Sequence, residues 1–189
     1  AELDRALDAL HRDDAVQAIV LAPDGLYSRE FGHGADINCF VPVLGDQAGA
    51  LALIRGWKAT LAKLRAGKPT VAALVGRILG GGLELASACH ARIAGEGAVL
   101  GQPEVHVGVL PGLGGCHMLH RLSAPEHFAA LDERILTGRT FTAEEAIGFG
   151  IVARVVPIRD LPRASMEYAA ALADGSAPVP SLRTGPAEV

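Results

Sequence analysis

The stretch Gly80-Gly81-Gly82-Leu83-Glu84 constrains this chain more than any other, because three consecutive glycines close a run of β-type sequence and open a helix. At a strand-to-helix turn the missing side chains let a ligand oxygen approach the backbone. The first N–H groups of the helix are unpaired donors at the positive end of its dipole. Gly81 is the natural donor. Glu84 lies about one turn further on and shares its face, so its carboxylate can sit near whatever Gly81 binds. Two plainer readings stay open: the triplet serves close packing of helix on strand, and a first-turn Glu complements the dipole.

A second acid has its own glycine and proline setting, Gly101-Gln102-Pro103-Glu104. Ala98-Val99-Leu100 before it and Val105, Val107 and Val109 after it make a mainly apolar neighbourhood in sequence. Burial there would disfavour the charged carboxylate and raise its proton affinity, as suits a general acid or a proton shuttle near neutral pH. The alternative is a structural Glu bonded to backbone or turned to solvent. A third glycine-bounded turn, Phe31-Gly32-His33-Gly34-Ala35-Asp36-Ile37, follows a predicted strand. Two carboxylates and two exposed-backbone turns suit acid/base chemistry on a carbonyl whose developing negative oxygen is held by main-chain N–H groups.

The 189 residues, 50% hydrophobic, are enough for about one α/β domain. A net charge of −4 offers no basic surface for nucleic acid or anionic membrane. The three cysteines, Cys39, Cys89 and Cys116, fit neither a disulfide framework nor a zinc site, which points to a reducing, cytoplasmic setting. No apolar run reaches the roughly eighteen residues that span a bilayer, and the acidic start has no signal-peptide character. The absence of an initiating Met is expected of a fragment or a processed chain.

Helical and strand periodicities alternate along the chain. Leu3, Leu7 and Leu10 share a helical face, and Val16 to Leu21 reads as a buried strand. Helical spacing from Gln47 to Ala66 stops at Gly67-Lys68-Pro69, and Thr70 to Val75 is the next strand. A helix follows the triplet to about Cys89, with short strands at His90 to Ala94 and Ala98 to Leu100. Pro111-Gly112-Leu113-Gly114-Gly115 reads as a mobile loop. Thr142-Ala143-Glu144-Glu145 is a capping box, followed by a strand over Ile151 to Val156 and an amphipathic helix from Leu161 to Ala173. The division expected is a core over 1–173 and an unpacked, proline-containing tail over 174–189.

Four segments together, FGHGADI at 31–37, GRILGGGLELASACHARIA at 76–94, LGQPEVHVGVLPGLGG at 100–115 and LTGRTFTAEEAIGFGIVARVV at 136–156, resemble the enoyl-CoA hydratase/isomerase (crotonase) family. The resemblance runs from about Leu3 to Val156, with a softer likeness to the hydratase/isomerase part of multifunctional fatty-acid oxidation enzymes. It implies an α/β crotonase-like fold of repeated ββα units. Against the family pattern the chain lacks the usual N-terminal strand and hairpin and the closing C-terminal helices, so the fold is expected to be truncated at both ends. The resemblance further implies that the N–H groups of Ala35 and Gly81 form an oxyanion hole. Glu84 would act as base toward water attacking C3, while Glu104 delivers a proton to C2. Gly34, Asp36, Ile37, Gly80, Pro111 and Gly112 would lie against substrate, with Asp36 holding its turn. The implied substrate is a 2-enoyl-CoA, coenzyme A entering with it and no separate cofactor being needed. A homo-oligomer, trimer or hexamer, is implied as well, with no nucleic acid or membrane partner.

Two alternatives remain. One is Δ3,Δ2-enoyl-CoA isomerisation, with Glu104 alone shuttling the proton; the other is a catalytically silent scaffold or RNA-binding member of the same family. Weaker signals are set aside. Cys116, His117 and His120 lack a carboxylate partner in sequence and read as a helix-surface pair without metal. Gly32-His33-Gly34 fails as a dinucleotide motif at Ile37, and Gly67-Lys68-Pro69 lacks the rest of a phosphate loop. His33 reads as a solvent-facing turn residue and Trp57 as core packing.

Overall fold

The structure, a computed structural model, describes residues 2–24, 30–180 and 182–183. In chain order, α1 (Glu2–Arg12) leads to β1 (Ile19–Leu21), a 3-10 stretch Ile37–Val43 and the long α2 (Gln47–Ala66). Then β2 (Thr70–Leu74), β3 (Arg77–Leu79) and α3 (Gly81–Ala88) make one strand-strand-helix unit. A second comprises β4 (Ala91–Gly95), β5 (Val99–Gly101) and, after a 3-10 turn Pro103–Val107, α4 (Gly115–Leu122). They are followed by α5 (Phe128–Thr137), β6 (Phe141–Thr142), α6 (Ala143–Gly148), β7 (Arg154–Val156) and α7 (Leu161–Ala173).

Each ββα unit sends its first strand to one sheet and its second to another. The larger sheet is parallel, in the order β1-β2-β4-β7; in the smaller, β3 pairs parallel with β5 and β5 antiparallel with β6. Strand periodicity assigns the faces. Val71 and Ala73 of β2, with Ala91 and Ile93 of β4, pack against Leu161, Ala164, Ala169 and Leu172 of α7. Their neighbours Ala72, Leu74 and Ala94 face the main core with Leu7, Leu64, Ile78, Leu83 and Leu100. Both faces of β2 are thus covered, which is why it reads as an uninterrupted apolar run rather than an alternating one.

The bounds of α2 and α7 match their apolar spacing, and Thr142 and Glu145 close the capping box in both directions, at 3.2 Å and 2.8 Å. The first strand is shorter than its apolar run: Val16 bonds back to Asp13 in a turn, and pairing begins at Ile19. Likewise Ile151 and Val152 are buried in the turn after α6, and β7 starts only at Arg154. Of the expected tail, Ala177 packs against the α7 cluster and Arg183 donates its N–H to the Arg121 carbonyl at 3.0 Å. Residues 184–189 and Ser181 lie outside the described residues. No helix among the described residues is long and apolar enough to cross a membrane.

Candidate active site

The glycine turns meet because the chain after β1 runs beside β3. Phe31 N–H donates to Val75 O, Gly32 N–H to Arg77 O, and Leu79 N–H to Gly32 O at 2.9 Å. This carries Gly34 and Ala35 to the start of α3. A β-carbon on Gly34 would stand 3.0 Å from the Gly81 nitrogen, and one on Gly81 would stand 3.4 Å from the Ala35 nitrogen. Neither N–H donates a hydrogen bond among the described residues. Two main-chain donors therefore lie side by side, one of them at the positive end of a helix.

The triplet serves packing and access together. A β-carbon at Gly82 would collide with the Gly32 carbonyl oxygen at 2.5 Å, so the close seat of α3 on the 31–35 segment requires glycine there. Gly80 has φ +53°, and a β-carbon on it would stand 2.9 Å from Glu104 Oε1. That carboxylate thus lies against the same turn as the two donors.

The two acids are held differently. Glu84 is only 4% exposed, and its Oε1 accepts from Leu113 N–H at 2.7 Å and Gly115 N–H at 2.8 Å. Burial pushes its carboxyl above the ordinary value, while the backbone donors of Gly115, Leu113 and Gly114 and the Lys58 ammonium pull it back toward the anion. Glu104 is also pushed up, first by burial and further by the charge of Glu84; a backbone N–H acts in the opposite direction. With its amide nitrogen turned toward Glu104, buried Gln102 donates to both carboxylate oxygens at 3.1 Å. Glu84 thus differs from Glu104 in its two backbone donors, while both carboxyls are raised by burial.

Beside Glu84 opens a cavity of about 190 Å³ between α2, α3 and the start of α4. Leu61, Ala62, Ala88, Leu113 and Met118 make its wall largely apolar, with Lys58 and Arg65 at the α2 side. Among the residues expected against substrate, Asp36 caps the 3-10 stretch by accepting from Asn38 N–H and Nδ2, and Ile37 is 69% exposed. Pro111 is buried and Gly112 exposed, but their neighbours Leu113 and Gly114 are the ones that line the cavity. The loop they form is fastened to Glu84 rather than hanging free.

Several sequence expectations change. Val105, Val107 and Val109 are exposed, at 38%, 67% and 54%: the first two lie in the 3-10 turn Pro103–Val107 and Val109 in the irregular segment after it, so none has the inner face of a strand. The Glu104 carboxylate lies instead against the Gly80 turn and beside buried Gln102. His117 and His120 are not a surface pair: His120 is buried edge-on against Phe128 and bonds Asp132 at 2.9 Å, a carboxylate brought in by α5. No group of three or more metal-ligating side chains gathers among the described residues. His33 is exposed and pairs with Glu30. Trp57 is half-buried and packs edge-on against Phe40 at 5.6 Å, outside the central core. Leu113 N–H, Gly115 N–H, Gln102 and Lys58 complete the site without any sequence signal, since two are backbone donors and the others ordinary polar residues.

The sequence profile of the enoyl-CoA hydratase/isomerase family matches residues 1–182. The Mycobacterium bovis protein named "Probable enoyl-CoA hydratase echA8" is 41% identical over 161 residues, 85% of this chain and 59% of that protein. An Arabidopsis thaliana peroxisomal fatty acid beta-oxidation multifunctional protein, AIM1, is 37% identical over 174 residues, 90% of this chain and 23% of its own length. The crystal structure of an enoyl-CoA hydratase from Bacillus anthracis superposes with a TM-score of 0.79 at 31% identity, covering 91% of this chain and 64% of that one. The chain spans less than two thirds of the length of these relatives, but the family profile covers nearly all of it, and it belongs to the enoyl-CoA hydratase/isomerase family.

Proposed function

We propose that this chain carries the hydratase chemistry of its family, the reversible addition of water across the double bond of a 2-enoyl-CoA. The observation that carries the reading is the placing of two carboxyl groups that burial pushes above the ordinary value, Glu84 accepting two backbone N–H groups and Glu104 lying against the Gly80 turn, beside two N–H groups that have no acceptor among the described residues. In this reaction Glu84 takes a proton from water as the water oxygen bonds to C3. The C2–C3 π electrons move toward the carbonyl, and negative charge collects on the thioester oxygen beside the Ala35 and Gly81 N–H groups. Glu104 then gives its proton to C2 as the enolate electrons return. A proton passing from Glu84 to Glu104 restores the starting state. The donors matter most when the oxygen is most negative, so their contribution falls on the barrier rather than on substrate binding.

The acyl tail fits the apolar cavity beside Glu84. The cavity, about 190 Å³, is walled mainly by Leu61, Ala62, Ala88, Leu113 and Met118 and so offers apolar contact to a hydrocarbon chain. The reaction as written requires nothing beyond the coenzyme A that the substrate carries.

The test is to incubate the chain with crotonyl-CoA and longer 2-enoyl-CoAs and follow loss of the conjugated thioester absorbance. Turnover with both glutamates required supports hydration. Gain of conjugation from 3-enoyl-CoA that survives Glu84→Gln but not Glu104→Gln would replace it by isomerisation. No turnover with any acyl-CoA would reject both.

A further inference from the structure

Helix α3 presents Gly81 at one end, and two guanidinium groups close the other. Arg65 of α2 donates through Nη2 to the Ser87 carbonyl at 3.1 Å and the Cys89 carbonyl at 2.8 Å. Arg92 of β4 donates through Nη1 to Cys89 O at 2.9 Å and Ala86 O at 3.4 Å, and through Nε to Ile151 O. Arg92 is 2% exposed, and neither arginine has a carboxylate partner among the described residues.

A buried cation without a counter-ion is costly, and burial lowers the proton affinity of both groups, that of Arg92 to about 10. Capping three carbonyls does not require two full charges. Arg65 also leaves its buried Nε without a partner, so hydrogen bonding alone does not account for a guanidinium at this place. What the two cations share is the negative end of the helix whose positive end faces the candidate oxyanion.

We infer that Arg65 and Arg92 are positioning residues for the proposed reaction, fastening the carbonyl end of α3 and offsetting the negative end of its dipole with two fixed positive charges, so that negative charge beside Gly81 is favoured. The inference rests on the reading of Gly81 as an oxyanion donor. The eight residues of α3 span about 12 Å. One charge acting over about that distance, at an effective dielectric constant of about 20, changes the stability of an enolate about tenfold.

Arg92 is wholly enclosed, so its replacement mixes folding with function; half-buried Arg65 is the residue to change. Arg65→Met and Arg65→Lys are compared with the unaltered chain by circular dichroism, by kcat and KM on crotonyl-CoA, and by the near-ultraviolet absorbance of bound acetoacetyl-CoA against pH, which reports its enolate directly. The expected result is that folded Arg65→Met makes bound acetoacetyl-CoA about tenfold less acidic and lowers kcat by a similar factor, while Arg65→Lys restores most of both; KM, which also reads the Arg65 contribution to the cavity wall, does not decide the matter. Unchanged enolate acidity in a folded Arg65→Met variant overturns the inference, and so does a lysine variant as impaired as the methionine one. Enolate formation without hydration of any enoyl-CoA rejects only the hydratase reading and leaves the arginine comparison decisive. Absence of enolate on the unaltered chain rejects the Gly81 donor and this inference with it.

Discussion

Replacing Gly82 by alanine tests whether the seat of α3 on the 31–35 segment sets the spacing of the two backbone donors. The new β-carbon would stand 2.5 Å from the Gly32 carbonyl oxygen and 3.0 Å from its carbon. Ordinary contact begins at 3.4 Å, so the segments must part by about 0.9 Å, a displacement of the size that costs about 10²-fold in rate when it misplaces reacting groups. Gly32 is tied to β3 on both sides, by its own N–H to Arg77 O at 3.2 Å and by Leu79 N–H to its carbonyl at 2.9 Å. Retreat therefore carries Gly34 and Ala35 with it and opens the gap between the Ala35 and Gly81 nitrogens. The strain should also lower stability by about 1–3 kcal/mol, as overpacking does. The assay is kcat on the best 2-enoyl-CoA, with a thermal melt to show that the variant is folded. Gly56→Ala is the control: it lies within exposed α2, a β-carbon there meets nothing within 4 Å, and it should leave kcat unchanged. A folded Gly82→Ala chain within about threefold of parental kcat would refute the reasoning, because donors placed to about half an ångström could not survive such a shift.

Four further outcomes follow from the same geometry. Glu84→Gln and Glu104→Gln should each lower kcat by about 10²- to 10⁴-fold with little change in KM; since burial raises both carboxyls, the acidic limb of the kcat/KM profile should lie above the ordinary value of about 4.3. Gly81→Pro removes one donor and should cost about 10²- to 10³-fold in kcat, and because proline suits the first helical turn, circular dichroism should show a folded chain. His90 accepts the Thr70 N–H on Nδ1 at 3.1 Å, and burial together with Arg65 and Arg92 keeps it neutral. The unfolded chain then takes up a proton that the folded one refuses, so this contribution is complete above about pH 6.5 and declines as pH falls below it; urea titrations at pH 7.5 and 5.5 should show the loss shrink in His90→Asn. Met118→Trp fills the cavity beside Glu84 and should shift the preference of kcat/KM toward crotonyl-CoA over eight-carbon 2-enoyl-CoA.

What could be read from the chain differs by the kind of signal each feature leaves. The two long helices are written in apolar spacing, and α2 and α7 run over the residues that the spacing selects. Glu84 and Glu104 stand out because glycine and proline surround them, but their neighbours in space are hard to anticipate. Leu113 and Gly115 reach Glu84 with backbone N–H groups, which every residue possesses, so nothing in the sequence of that loop distinguishes an anchored strap from a free one. The valines after Glu104 mislead for a related reason: alternation implies an inner face only in a strand, and here Val105 and Val107 lie in a 3-10 turn and Val109 in the irregular segment that follows, all three exposed. Arg65 and Arg92 lie on different elements and meet only where α3 ends. The unequal surroundings of the two acids have the same origin. Backbone donors and a cation act on Glu84 and the like charge of Glu84 acts on Glu104, each arriving from a different part of the chain, so these surroundings belong to the fold rather than to either motif.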